Sequence, residues 1–109
     1  MNREFISTAI FDEDWKNIGL HDDDLRELEQ IISENPQVGD VIPGLSGGRK
    51  LRFALEGRGK SSGARVVYVD VVVREQIFLL LAYPKSVQSD LTSEQKHAVN
   101  KLIIAIKER

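Results

Sequence analysis

The chain has 109 residues, of which 41% are apolar and 29% charged, with no cysteine and a net charge of −2. Domains mostly run to about 100–150 residues, so residues 1–109 are expected to form one domain with one core, and this balance excludes a disordered or membrane-embedded chain. The absence of cysteine excludes disulfides and thiolate chemistry.

The N-terminal MNREFISTAI lacks the basic start and long apolar stretch of a signal peptide, and no apolar run spans a bilayer; a cytoplasmic location is the expectation. EFISTAIF alternates loosely and predicts a short strand. DEDWKNIG then predicts one or two helical turns around Trp15, ended by Gly19. HDDDLRELEQIISENP predicts a firmer helix: His21 or Asp22 caps it, acids fill the first turn where the helix dipole favours them, and Asn35-Pro36 stops it. Leu25, Leu28, Ile31 and Ile32 form its apolar face.

VGDVIPGLSGG, rich in Gly and Pro, reads as a loop. The period then changes to two. In RKLRFALE, Leu51, Phe53 and Leu55 alternate with Lys50, Arg52, Ala54 and Glu56, giving one core face and one basic face. GRGKSSG is a flexible connection to ARVVYVDVVV, which is joined near Arg74-Glu75 to QIFLLLAY. Both segments are apolar almost throughout, as central strands covered on two faces are. SDLTSEQKHAVNKLIIAIKER opens with a capping box of Thr92 and Gln95 and buries Val99, Leu102, Ile103 and Ile106. The expected fold is α+β: three antiparallel C-terminal strands with an N-terminal strand beside them, two N-terminal helices and a C-terminal helix, the helices on one face.

Charge is segregated along this order. Residues 1–40 hold three Lys or Arg against eleven Asp or Glu, whereas residues 49–85 hold eight bases against three acids. A polyanion would meet the local field of the basic segment, since beyond about 8 Å at physiological salt the distant acids are screened.

No metal or other cofactor is expected. His21 and His97 lie on different helices without acids at ligand spacing, and the HDDD run suits a helix start. GLSGG and GRGKSSG lack the Lys-Ser opening directly into a helix that a phosphate loop needs. The strand cations carry more information. Lys50 and Arg52 share a strand face, Arg65 opens the next strand and Lys85 follows the last, so antiparallel pairing would let four cations line one groove. Arg58 and Lys60 would overhang it, with Tyr68 and Tyr83 nearby. Such a groove suits single-stranded nucleic acid. Equally, Lys and Arg guard exposed sheet edges against aggregation.

The NPxxGDVI helix exit, the RKLR strand, GKSSGARVVY, the aromatic-x-Lys end of the last strand and SDLTSEQK occur in an order that resembles the RelE/ParE superfamily of bacterial type II toxins, most closely its HigB-like, RelE-type branch. The resemblance covers most of the chain. It implies an mRNA interferase that enters the ribosomal A site, cuts the message there without metal, and is suppressed by a cognate antitoxin protein. In this chemistry the ribose 2′-hydroxyl attacks the adjacent phosphorus and expels the 5′-oxygen, which needs a base, an acid and cations around the phosphorane.

Carried over by position, Arg65 is the transition-state cation, Lys50 and Arg52 hold phosphate or shuttle protons, and Lys85 is the basic residue after the last strand. Tyr83 stacks on a base or relays a proton. Arg49, Arg58, Lys60 and Tyr68 are the expected RNA contacts, with a core role for Tyr68 as its alternative. The chain departs from the pattern in Lys85-Ser86-Val87, which lacks the carboxylate often found there, and in its acidic balance. A ParE-like gyrase inhibitor, or a catalytically weak RNA- or antitoxin-binding module of the same fold, are the alternative readings.

Overall fold

The computed structural model describes residues 2–54 and 63–109. Its elements are β1 (Glu4–Ser7), α1 (Ala9–Ile18), α2 (Asp22–Glu34), β2 (Asp40–Val41), β3 (Arg49–Phe53), β4 (Ala64–Val71), β5 (Gln76–Pro84) and α3 (Ser93–Lys107). They form an α+β fold around an open five-stranded sheet in the order β1-β5-β4-β3-β2. No helix among the described residues is long and apolar enough to cross a membrane.

The sheet is mixed. The pairs β2–β3, β3–β4 and β4–β5 are antiparallel as expected, but β1 lies parallel to β5. A parallel neighbour requires a long crossover, and here the whole segment from α1 to β4 supplies it. The loop between α2 and β3 contributes the extra two-residue strand β2. The expected first strand stops early because Thr8 caps a helix: its Oγ1 accepts from Phe11 N at 3.0 Å and donates to Leu80 O at 2.8 Å. α1 is therefore longer than one or two turns, and it ends as expected at Gly19, whose φ of 94° suits glycine.

Helices cover both faces of the sheet rather than one. α1 and α2 place Phe11, Trp15, Leu28 and Ile32 against Leu51, Phe53, Val66, Tyr68, Ile77 and Leu79. On the other face α3 lays Val99, Ile103 and Ile106 on Val67, Val69, Val71, Phe78 and Leu80. The physical reason lies in β4 and β5, whose residues are apolar on both sides of the pleat and must be covered twice. The loop before β3 joins this second core through Leu45, which is fully buried, and is pinned to α3 by Lys107 Nζ donating to Ser46 O at 2.5 Å.

Three polar contacts tie the layers together. Asp70, which nothing in the sequence accounts for, receives Arg3 Nε at 2.8 Å and Nη2 at 3.3 Å, so the fork holds the start of β1 beside the end of β4. Beyond Ser7 the β1 side of β5 has no strand neighbour among the described residues, and α1 takes over: Asp14 Oδ2 accepts from Ala82 N at 3.1 Å. Tyr68 is the third. Its hydroxyl donates to Pro36 O at 2.8 Å and accepts from Gly39 N at 2.9 Å, closing the α2 exit onto the sheet. Gly39 must be small there, since a Cβ would sit 2.9 Å from the Tyr68 ring.

Tyr68 is accordingly corrected from an RNA contact to a core residue; at 0% exposure its ring can meet no base. Arg49 is corrected with it. Its register partner is Tyr68, so it projects toward the α1/α2 face, where Nη1 donates to Gly39 O at 2.7 Å and Gln37 O at 3.3 Å.

Tyr68→Phe is expected to lower stability by about 1–3 kcal/mol in urea unfolding, because it strands a buried amide and carbonyl. Burial raises the Asp14 carboxyl above its ordinary range, against the opposing effect of the Ala82 amide. The charged form is thus the disfavoured one in the fold, a cost fully present at neutral pH, lost as pH falls through the raised pKa and gone below the ordinary carboxylate range. Asp14→Asn, which can still accept from Ala82, is expected to be as stable as the parent or more so at pH 7, with that advantage shrinking at acid pH. Asp14→Ala loses the bond and is expected to be destabilised at both.

Candidate functional site

Alternation along three paired strands brings the strand cations together. Leu51 and Phe53 point into the α1/α2 core, so Lys50 and Arg52 project from the opposite face. Arg52 lies directly across from Arg65, and Arg65 directly across from Tyr83. One strand step away, Lys50 faces Val67, which faces Leu81. The result is a basic patch on the α3 side of the sheet, beyond the end of the α3 core.

Tyr83 reaches this patch through an irregularity. In β4, successive residues alternate faces without interruption, but the register with β5 shifts between Val67 and Tyr68, leaving Leu80 unmatched. Leu80 and Leu81 both enter the α3 core, Ala82 turns to the α1/α2 core, and Tyr83 returns to the α3 side. Without the bulge Tyr83 would lie on the wrong face.

The electrostatics of the patch are unusual for a purely structural surface. Arg52 and Arg65 are like charges in register, an arrangement that disfavours the sheet. Arg52 is exposed and forms no ion pair among the described residues. Arg65 is partly buried, and its Nε is fully enclosed without a hydrogen-bond partner among the described residues. A buried donor left unmet is a cost of the folded state that a bound anion would remove.

Tyr83 is 4% exposed, so its ring is packed in the α3 core and offers no stacking plane. The stacking role is thereby corrected, and the hydroxyl is what remains for chemistry; it donates to Ser89 O over a long 3.4 Å. Burial pushes this phenol above its ordinary range, with Lys50 and Arg65 opposing and Asp90 assisting. At neutral pH it is a proton donor rather than a phenolate.

Lys50 is engaged by a residue that the sequence pattern did not single out. Its Nζ donates to Asp90 Oδ1 at 2.6 Å across a separation of 40 residues. Asp90 lies in the segment between β5 and α3, and the pair lines a cavity of about 370 Å³ with Asp40, Leu91 and Lys96 among its other walls. Lys50 and Asp90 are too far apart in sequence for any spacing rule to associate them. Lys96 was visible only as the last letter of a helix-start motif.

Lys85 is exposed, and its backbone is tied down by donation to Gly63 O at 3.2 Å. Arg58 and Lys60 lie outside the described residues. No group of three or more His, Cys, Asp or Glu that could hold a metal ion occurs among the described residues.

No family model matches the chain. Its backbone is similar to a mutant of the Escherichia coli toxin RelE in the free state, with a TM-score of 0.63 and 18% identity over 94% of this chain and 99% of that one. The isolated E. coli RelE toxin aligns with a TM-score of 0.56 and 15% identity, covering 92% of this chain and 98% of the other. A chain of the intact E. coli RelBE toxin–antitoxin complex aligns at 0.55 and 16%, covering 74% and 94%. Identities this low concern the fold, and the fold of this chain is that of RelE.

Proposed function

We propose that the protein is the toxin of a type II toxin–antitoxin pair, one RelE-like domain of the RelE/ParE superfamily and its HigB-like branch, acting in the cytoplasm as a ribosome-dependent endoribonuclease. It cuts messenger RNA in the A site and so stops translation. The observation that carries the reading is the Arg52–Arg65 register pair, with Arg65 Nε buried and without a partner among the described residues, and Tyr83 across from Arg65 on the next strand. Two like charges held side by side need an anion, and a phosphodiester supplies two free oxygens at the right scale.

In the reaction the 2′-hydroxyl gives its proton to solvent water and forms a bond to phosphorus as the bond to the 5′-oxygen breaks, leaving a cyclic phosphate. Arg65, fixed on a central strand, places its fork on the oxygens that gain charge, with Arg52 and Lys50 sharing the load. Tyr83, kept protonated by burial, is suited to deliver a proton to the departing 5′-oxygen. Lys85, Arg58 and Lys60 contact ribosomal or messenger phosphate. The likeness to a chain of the RelBE complex supports a protein antitoxin as partner.

One observation favours a weaker module of the same fold: Lys50 is already neutralised by Asp90. Induction in cells separates the readings. Translation arrest with cleaved messages supports the nuclease, a DNA-damage response would instead support a ParE-like gyrase inhibitor, and unaffected growth the binding module.

Arg65→Ala is expected to leave the fold and antitoxin binding intact while lowering message cleavage on ribosomes by about 10²–10³-fold, the usual cost of losing one transition-state donor. Growth arrest by the variant at matched expression would overturn the assignment of the site.

A further inference from the structure

Asp90 receives its hydrogen bond from Lys50 in the open: its side chain is 74% exposed, and that of Lys50 27%. Exposed pairs of this kind contribute little to stability. The fold therefore does not require Asp90 where it stands.

Two cations stand around Asp90, in a cavity whose other walls are apolar apart from Asp40, the ladder partner of Lys50. Lys50 projects from β3 and Lys96 from the first turn of α3, and both line the same cavity as the carboxylate. A lysine in a first turn is opposed by the helix dipole, so nothing within α3 itself calls for Lys96 at that position. Lys50, then Arg65 and Lys96, hold the Asp90 carboxyl below its ordinary range, which is to say that cations from three separate elements act on one carboxylate. A carboxylate and a phosphodiester present the same kind of paired acceptor oxygens to such donors.

We propose that Lys50 and Lys96 form a second phosphate seat, next to the Arg52–Arg65 patch, and that Asp90 is its resident anion, displaced when the backbone of a single-stranded RNA enters. The proposal rests on the reading of this face as an RNA site, and it adds two residues that this reading did not contain. Asp90 acts as a brake: it screens Lys50 in the free protein and repels phosphate until the segment between β5 and α3 moves aside. Because the displaced carboxylate is solvent-exposed, the movement costs little, and RNA supplies its own replacement contacts.

The test uses the full chain and a ten-nucleotide single-stranded RNA with 2′-O-methyl sugars, which binds without being cut, followed by fluorescence anisotropy over a range of salt concentrations. Asp90→Asn is expected to bind several-fold more tightly than the parent. Lys96→Gln is expected to bind more weakly, with the slope of log affinity against log salt reduced by about 0.7, the loss of one phosphate contact on a single strand. In the double variant the gain from Asp90→Asn should shrink, because Lys96 is one of the groups it frees.

Thermal melts unchanged from the parent confirm that neither substitution disturbs the fold. Equal or weaker binding by Asp90→Asn, an unchanged slope for Lys96→Gln, or no binding by any variant overturns the proposal. Failure of the nuclease reading looks different: RNA binding that responds to both substitutions, with no message cleavage on ribosomes, refutes the enzyme and leaves the seat. Cleavage by a chain whose binding ignores Asp90 does the reverse.

Discussion

β5 carries one residue more than β4 along their shared ladder, and the position of that residue decides which side chains share a face. Before Leu80 the even-numbered residues of β5 face α3; after it the odd-numbered ones do. The ladder gives up one regular pair at this point, and local pairing energy is the cost. The effect is that β5 satisfies two demands at once. Phe78, Leu80 and Leu81 fill the α3 core, while Tyr83 comes round to stand beside Arg65. A regular β5 would have fed Ala82 to the basic patch instead and driven a phenol into the α1/α2 core.

The same sheet separates the charges. α1 and α2, which carry most of the acids, are confined to one face, and Lys50, Arg52 and Arg65 project from the other. A slab of close-packed apolar side chains lies between them. The slight net negative charge therefore coexists with a positive surface, because what an approaching polyanion meets is the near face rather than the sum. Asp40, across from Lys50 in the ladder, and Asp90 are acids on the basic side, and the placement of Asp90 against Lys50 gives it a consequence that the acids of α2 do not have.

Much of the fold was legible from pattern. The two-residue period located β3 and its basic face, the continuous apolar runs marked β4 and β5 as doubly covered, and the Thr92–Gln95 box located the start of α3. Double coverage was read correctly from those runs, yet placing every helix on one face contradicted it; a strand apolar on both sides needs helices on both. The direction of β1 was not legible, since four residues look the same whichever way they run. Tyr68 and Arg49 were misplaced for a related reason. Their residue types suit RNA, but their parity sets them facing the α2 exit, where Pro36 and Gly39 offer backbone groups that need partners.

The sequence by itself determined the order of elements, the two-faced core strands and the alternation that puts Lys50 and Arg52 on one side, because these depend only on near neighbours along the chain. Tertiary structure alone decided that Arg52 faces Arg65, that a bulge returns Tyr83 to their side, and that Asp90 meets Lys50 from 40 residues away. Those facts depend on strand register and on where a helix lands against the sheet. Both are set by the packing of the whole core, and no local stretch of the chain contains them.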